Sequence, residues 1–316
     1  MKYLLLITLF FISLTGKTQN FTTVYEKSGF VATAEYSETI EYCRKLAETY
    51  EEVTYKSIGK SAGGYDIPLI IADKDGYVNP VKAKNDKKTV LMVQSGIHPG
   101  ESEGKDAMMM LLRDALSDEK EIMLPGNVTI VWIPVFNVDG DNRFGAYNRI
   151  NQNGPEEMGW RTNSLNLNLN RDYLKADTPE MQHWLKLWNE WLPDFFIDCH
   201  TTDGADYQYE ITYAMEIYGG MDEKLMHWQK EEYISDVMPK MFDAGFPVFP
   251  YVSFRRWHDP RSGLRTNIAP PRISQGYTAL QNRPGLLIET HMLKPYKNRV
   301  ESTYKMIELS LDLLTK

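Results

Sequence analysis

Only two cysteines occur in the 316 residues, Cys43 and Cys199, so the fold is no disulfide scaffold. Buried free thiols are the expectation for both. Basic residues are outnumbered by acidic ones, for a net charge of −8. A protein whose work is to coat nucleic acid needs the opposite balance, so no nucleic-acid partner is expected. No internal repeat, low-complexity tract or Pro/Gly/Ser linker divides the body. After residue 14 no apolar run approaches the roughly 20 residues that span a bilayer, so no stable membrane insertion is expected.

The first residues differ from the rest. Lys2 precedes an apolar run over 3–14, and Ser13, Thr15 and Gly16 are small. That pattern reads as an export signal over 1–19, cleaved between Gly16 and Asn20 and followed by a catalytic domain over 20–316. No cysteine ends the run to carry a lipid anchor. A secreted or periplasmic protein is expected. A chain of this length buries a core without metal staples, so any metal it holds is expected to do chemistry.

Apolar periodicity places a helix around Ile40, Cys43, Leu46 and Ala47, capped by Ser37 or Thr33. Runs at 53–58 and 67–72, separated by Gly63-Gly64, read as a hairpin. Buried-strand signals follow at 89–93, 128–135, 195–199 and 285–290. Helical patterns cover 103–116, 179–192 and 296–314, the second with Pro179 in its first turn. Strands alternating with helices predict an α/β fold, a mixed, mostly parallel sheet covered by helices on both faces. Residues 141–169 are polar, rich in Asn and aperiodic, and loops of that length are commonly functional.

Chemistry collects at predicted strand ends. His98 and Glu101 lie in the turn between the strand at 89–93 and the helix that follows. Side chains there project past the sheet edge. An imidazole and a carboxylate three residues apart can close on one zinc ion, at about 2.0–2.2 Å. Alone the pair says little, since Glu101 also suits a helix N-terminus. His200 ends the run at 195–199, with Asp198 on the same strand face to orient its ring or to satisfy nearby backbone. Glu289 sits in an apolar strand, where an ionised carboxylate needs a partner or a task.

In this order the residues resemble the zinc metallocarboxypeptidases, the carboxypeptidase A-like enzymes. The resemblance implies one zinc ion held by His98, Glu101 and His200, with Glu289 as general base. It implies that Asn170-Arg171 grip the substrate's terminal carboxylate and that Arg161, in Gly159-Trp160-Arg161, polarises the scissile carbonyl. The expected activity is hydrolysis of the C-terminal peptide bond of peptides with a free carboxyl end. Asn168 stands where many relatives place an aspartate behind the first histidine, and Thr202 where a tyrosine is common. Tyr251 and Tyr277 are candidates for a tyrosine that closes over substrate. The side-chain pocket is expected at 272–277, with Arg272 and Tyr277 touching substrate. Five arginines (Arg255, Arg256, Arg261, Arg265 and Arg272) suit an acidic substrate, or else a solvated basic face. An amidase, deacylase or cell-wall γ-glutamyl peptidase of the same fold is the nearest alternative, and a silent zinc- or peptide-binding protein is a further one.

Overall fold

Strands buried on both faces read as unbroken apolar runs and belong in the middle of a parallel sheet. The computed structural model describes residues 21–117, 120, 122–203, 205–256 and 258–316. The expected export signal lies outside them. None of the described helices is long and apolar enough to cross a membrane.

Among the described residues ten strands form: β1 (Val53–Lys60), β2 (Asp66–Ala72), β3 (Thr89–Gln94), β4 (Val128–Ile133), β5 (Phe195–Thr201), β6 (Ile211–Ala214), β7 (Val248–Pro250), β8 (Ser253–Arg256), β9 (Asp259–Arg265) and β10 (Gly285–Thr290). Eight make one sheet in the order β1-β2-β4-β3-β5-β10-β6-β7, and β8-β9 form a separate hairpin. β3 is parallel to β4 and β5, and β10 is parallel to β5. The β1-β2, β2-β4 and β10-β6 pairs are antiparallel, so the sheet is mixed as expected.

Alternate residues of the central strands serve two cores. Leu91, Val93, Ile130 and Trp132 pack on one face, with the helices Tyr36–Thr49, Glu103–Leu116 and Tyr296–Leu314. Val90, Met92, Val131 and Ile133 pack on the other, with Pro179–Trp191. Neither Ser37 nor Thr33 caps the helix Tyr36–Thr49, because it begins after Glu35. Its first turn is closed by Glu38, whose carboxylate accepts from the Glu35 N–H at 2.9 Å. Both cysteines are buried free thiols.

From β3 the chain crosses first to β4 on one side, and β5 is then laid down on the other. Where strand order reverses in this way, the loops leaving the carboxyl ends of β3 and β5 part and open a crevice. The helix Glu103–Leu116 passes so close to β5 there that a Cβ at Gly104 would collide with the Cys199 side chain. We expect Gly104→Ala to lower stability by about 1–3 kcal/mol, as overpacking does. Urea unfolding measures it, and an unchanged midpoint would show that the helix shifts without cost.

Candidate metal centre and cleft

Three elements converge at the crevice. His98 and Glu101 follow β3, His200 lies in β5, and Glu289 in β10 stands opposite His200 in the parallel register. His98, Glu101 and His200 are buried, and their ligating atoms lie within 4.8 Å of one another. His98 Nδ1 is 3.1 Å from Glu101 Oε1, and His200 Nδ1 is 2.9 Å from Glu101 Oε2.

The outer nitrogens of both rings are held from behind. His98 Nε2 is 3.1 Å from Asn168 Oδ1, and His200 Nε2 is 2.8 Å from Asp198 Oδ2. An acceptor behind each Nε2 keeps its proton there and frees the Nδ1 lone pair, the arrangement a metal-binding histidine requires. His98 Nδ1 is buried and makes no hydrogen bond. A nitrogen, a carboxylate and a second nitrogen around one point, with an orphaned buried Nδ1 among them, match the donor set of zinc. Asn168 thus takes the place expected behind the first histidine, and its Oδ1 also accepts from the Asn170 N–H at 3.0 Å. Asp198 is fixed in turn by Gln94 at 2.9 Å and by Ser274 at 2.5 Å.

Charge around Glu101 is tightly balanced. Burial would raise its pKa, but His98, Arg149 and the His200 hydrogen bond together hold it well below the usual carboxylate range. Arg149 Nη1 reaches Glu101 Oε1 at 2.5 Å, while its Nη2 donates to the carbonyls of Thr201 at 3.0 Å and Thr202 at 3.2 Å. Arg161 Nη1 approaches the same Glu101 oxygen at 3.2 Å. Burial lowers the His98 pKa, whereas His200 is raised well above its ordinary value because Asp198 and Glu101 outweigh its burial. Burial pushes the Glu289 carboxyl up to about 8.

A cleft of about 320 Å³ opens over this group, and Arg161, Asn170, Arg171, Arg272, Tyr251 and Glu289 line it. Asn170 and Arg171 belong to a 3-10 turn, Leu169–Arg171, which Asn168 caps by accepting from the Asn170 N–H. Nearly all the residues expected from sequence therefore meet here. Tyr277 does not: its ring packs among Tyr173, Trp184 and Trp188, in the core beneath the site rather than in the cleft. The aromatic core claims it, and Tyr251 is the tyrosine that the fold brings beside Glu289, whose charge, ahead of burial, raises the phenol's pKa. Of the five arginines, only Arg272 lines the cleft, and the other four lie on the β8-β9 hairpin. Arg149 was not anticipated from the sequence. It lies in the aperiodic loop 48 residues from Glu101, with no local pattern to mark it.

A family model described as zinc carboxypeptidase matches residues 39–217. No curated protein gives a significant sequence match. Among solved structures, the fold resembles a metallo-carboxypeptidase from Pseudomonas aeruginosa in complex with (2-guanidinoethylmercapto)succinic acid. That pair is 17% identical with TM-score 0.60, covering 87% of this chain and 69% of the other. A metallo-carboxypeptidase from Burkholderia cenocepacia is 16% identical with TM-score 0.59, over 89% and 68% of the two chains. Carboxypeptidase A from Helicoverpa armigera is 14% identical with TM-score 0.58, over 89% and 73%. At these identities the likeness concerns the fold.

Proposed function

The chain belongs to the zinc carboxypeptidase family, and on that premise we propose that it removes the last residue from peptides with a free carboxyl end. His98, Glu101 and His200 hold one zinc ion in this reading, and Glu289 is the base. The observation that carries it is the pair of histidines turned Nδ1-inward on Glu101, with their Nε2 atoms held by Asn168 and Asp198.

A zinc ion in that group supplies Lewis acidity, which acidifies water and polarises a carbonyl oxygen. The protein's own groups do the rest. Arg171 offers a guanidinium fork to the substrate's terminal carboxylate, with the Asn170 amide beside it. Arg161 donates toward the oxygen on which negative charge develops as the carbonyl is attacked. Glu289 takes the proton of the attacking water and returns it to the amine nitrogen as the C–N bond breaks. The products are a shortened peptide and a free amino acid. Export of the mature chain, from the pattern at 1–19, and a single catalytic unit over 20–316 belong to the same proposal.

Peptides with free and with amidated ends, incubated with the zinc-loaded protein and followed by mass spectrometry, test it. Stepwise loss from free ends alone is the expected result. Trimming of neither kind would send the search to acylated amides and γ-linked cell-wall peptides, which the same ligands could serve.

Proton release gives a second test. A carboxyl with a pKa of about 8 is mostly protonated at pH 7. A divalent cation close by favours the carboxylate, so metal binding drives that proton off. Calorimetry of zinc binding at pH 7, in buffers of different ionisation enthalpy, should find up to one proton fewer released by Glu289→Gln than by wild type. Equal release by both proteins would mean that Glu289 is already ionised before metal enters.

A further inference from the structure

We propose that the cleft selects a C-terminal residue whose side chain carries a carboxylate, and that Arg272 reads it; the proposal rests on the carboxypeptidase reading above. Three guanidiniums line the cleft, those of Arg161, Arg171 and Arg272. Two have tasks in that reading, at the scissile carbonyl and at the terminal carboxylate. Arg272 is left over, and it has no hydrogen-bond or ion-pair partner among the described residues.

None of the cleft's acids pairs with Arg272. Glu101 is engaged by Arg149 and Arg161. Glu289 is the base. Asp203 also lines a neighbouring recess together with Arg149 and Arg161. The walls of the same cleft include the apolar Ala214 and Leu287, register partners in the β6-β10 pair. An unpaired cation in a cleft that also has apolar walls suits a short aliphatic side chain that ends in a carboxylate, and it repels lysine or arginine. The positive field is dense enough that burial, Arg161 and Arg272 together lower the proton affinity of Arg171.

The segment bearing Arg272 is also held at both ends. The buried Glu216 carboxylate bridges the two, accepting from the Ala269 N–H at 3.0 Å and from the Gln275 side chain at 3.1 Å. Next to Gln275, Ser274 donates to Asp198, the partner of His200, at 2.5 Å. A recognition arginine placed beside such a brace loses less freedom when it binds. The hairpin arginines differ in this respect: Arg261 is paired with Asp259, and Arg255 donates to the Leu264 carbonyl.

Binding and turnover are measured separately. Zinc-loaded Glu289→Gln protein is titrated by calorimetry with matched acetylated dipeptides ending in Glu, Asp, Gln, Leu or Lys, and wild type is assayed for trimming of the same set. A charge-assisted pair predicts that the Glu-ended peptide binds about 10- to 100-fold more tightly than its Gln-ended twin. Adding Arg272→Gln should bring that ratio close to one, while Arg272→Lys should keep part of it. Equal affinity for the Glu and Gln ends, or a preference that survives Arg272→Gln, overturns the proposal. A binding preference that depends on Arg272, in a wild type that trims nothing, supports the acid pocket and overturns the hydrolytic reading instead.

Discussion

Replacing Glu289 with Gln is expected to lower kcat on free-ended peptides by about 10²- to 10⁴-fold, the range over which a positioned acid–base group acts. The substitution keeps the shape and hydrogen-bonding reach of the side chain but cannot hold a proton in transit. Glu289 lies on β10, across the register from His200 and outside the His98-Glu101-His200 group, so zinc content should not change. Metal analysis beside the kinetics decides the matter. If zinc is lost together with activity, Glu289 is a ligand and the assignment of the base is wrong. If activity persists within a few fold, the proton passes through another group, and Tyr251 is the nearest to examine.

Arg149→Met is the second large effect. Its guanidinium ties the carboxylate of Glu101 to the carbonyls of Thr201 and Thr202, and so joins the turn after β3 to the end of β5. His98, Glu101 and His200 all ride on those two segments. Methionine fills much of the same space but leaves buried Glu101 with the two histidines and with Arg161, whose side chain is 37% exposed, and without its shortest guanidinium contact. Breaking one partner out of a buried pair costs about 3–5 kcal/mol, which thermal unfolding of the zinc-free protein would register. Outer contacts of this kind change metal affinity by about 10- to 100-fold, and competition with a chelator would reveal the loss. Arg149→Lys keeps the charge but loses the fork, so it should recover stability more fully than affinity. If both variants bind zinc as wild type does, Arg149 only props the loop.

Much of this site could be read before any coordinates. The helices at 103–116 and 296–314 and the strand at 285–290 match the structure to the residue, because long amphipathic or unbroken apolar patterns leave little choice. The residues at the ends of β3, β5 and β10 followed from those strands, since a strand end fixes where its next side chains go. What escaped was either short or distant. β6 to β9 have three to seven residues each, and the β8-β9 pair carries arginines on exposed positions with no apolar alternation. Tyr277 was misjudged because a seven-residue helix, Ser274–Leu280, does not reveal which neighbour will claim its aromatic ring. The loop at 141–169 announced itself by lacking a period, yet its contacts, from Arg149 to Glu101 and from Asn168 to His98, depend on how the chain folds back.

The position of β10 ties the proposed activity to the end of the chain. It lies between β5 and β6, yet it comes from the last tenth of the sequence, and β6 joins the sheet only through it. A nascent or clipped chain that stops short of residue 285 can carry His98, Glu101 and His200 but has neither the base nor the strand that closes the cleft. On the proposed mechanism such a chain holds the candidate metal group without its base and is expected to cleave nothing.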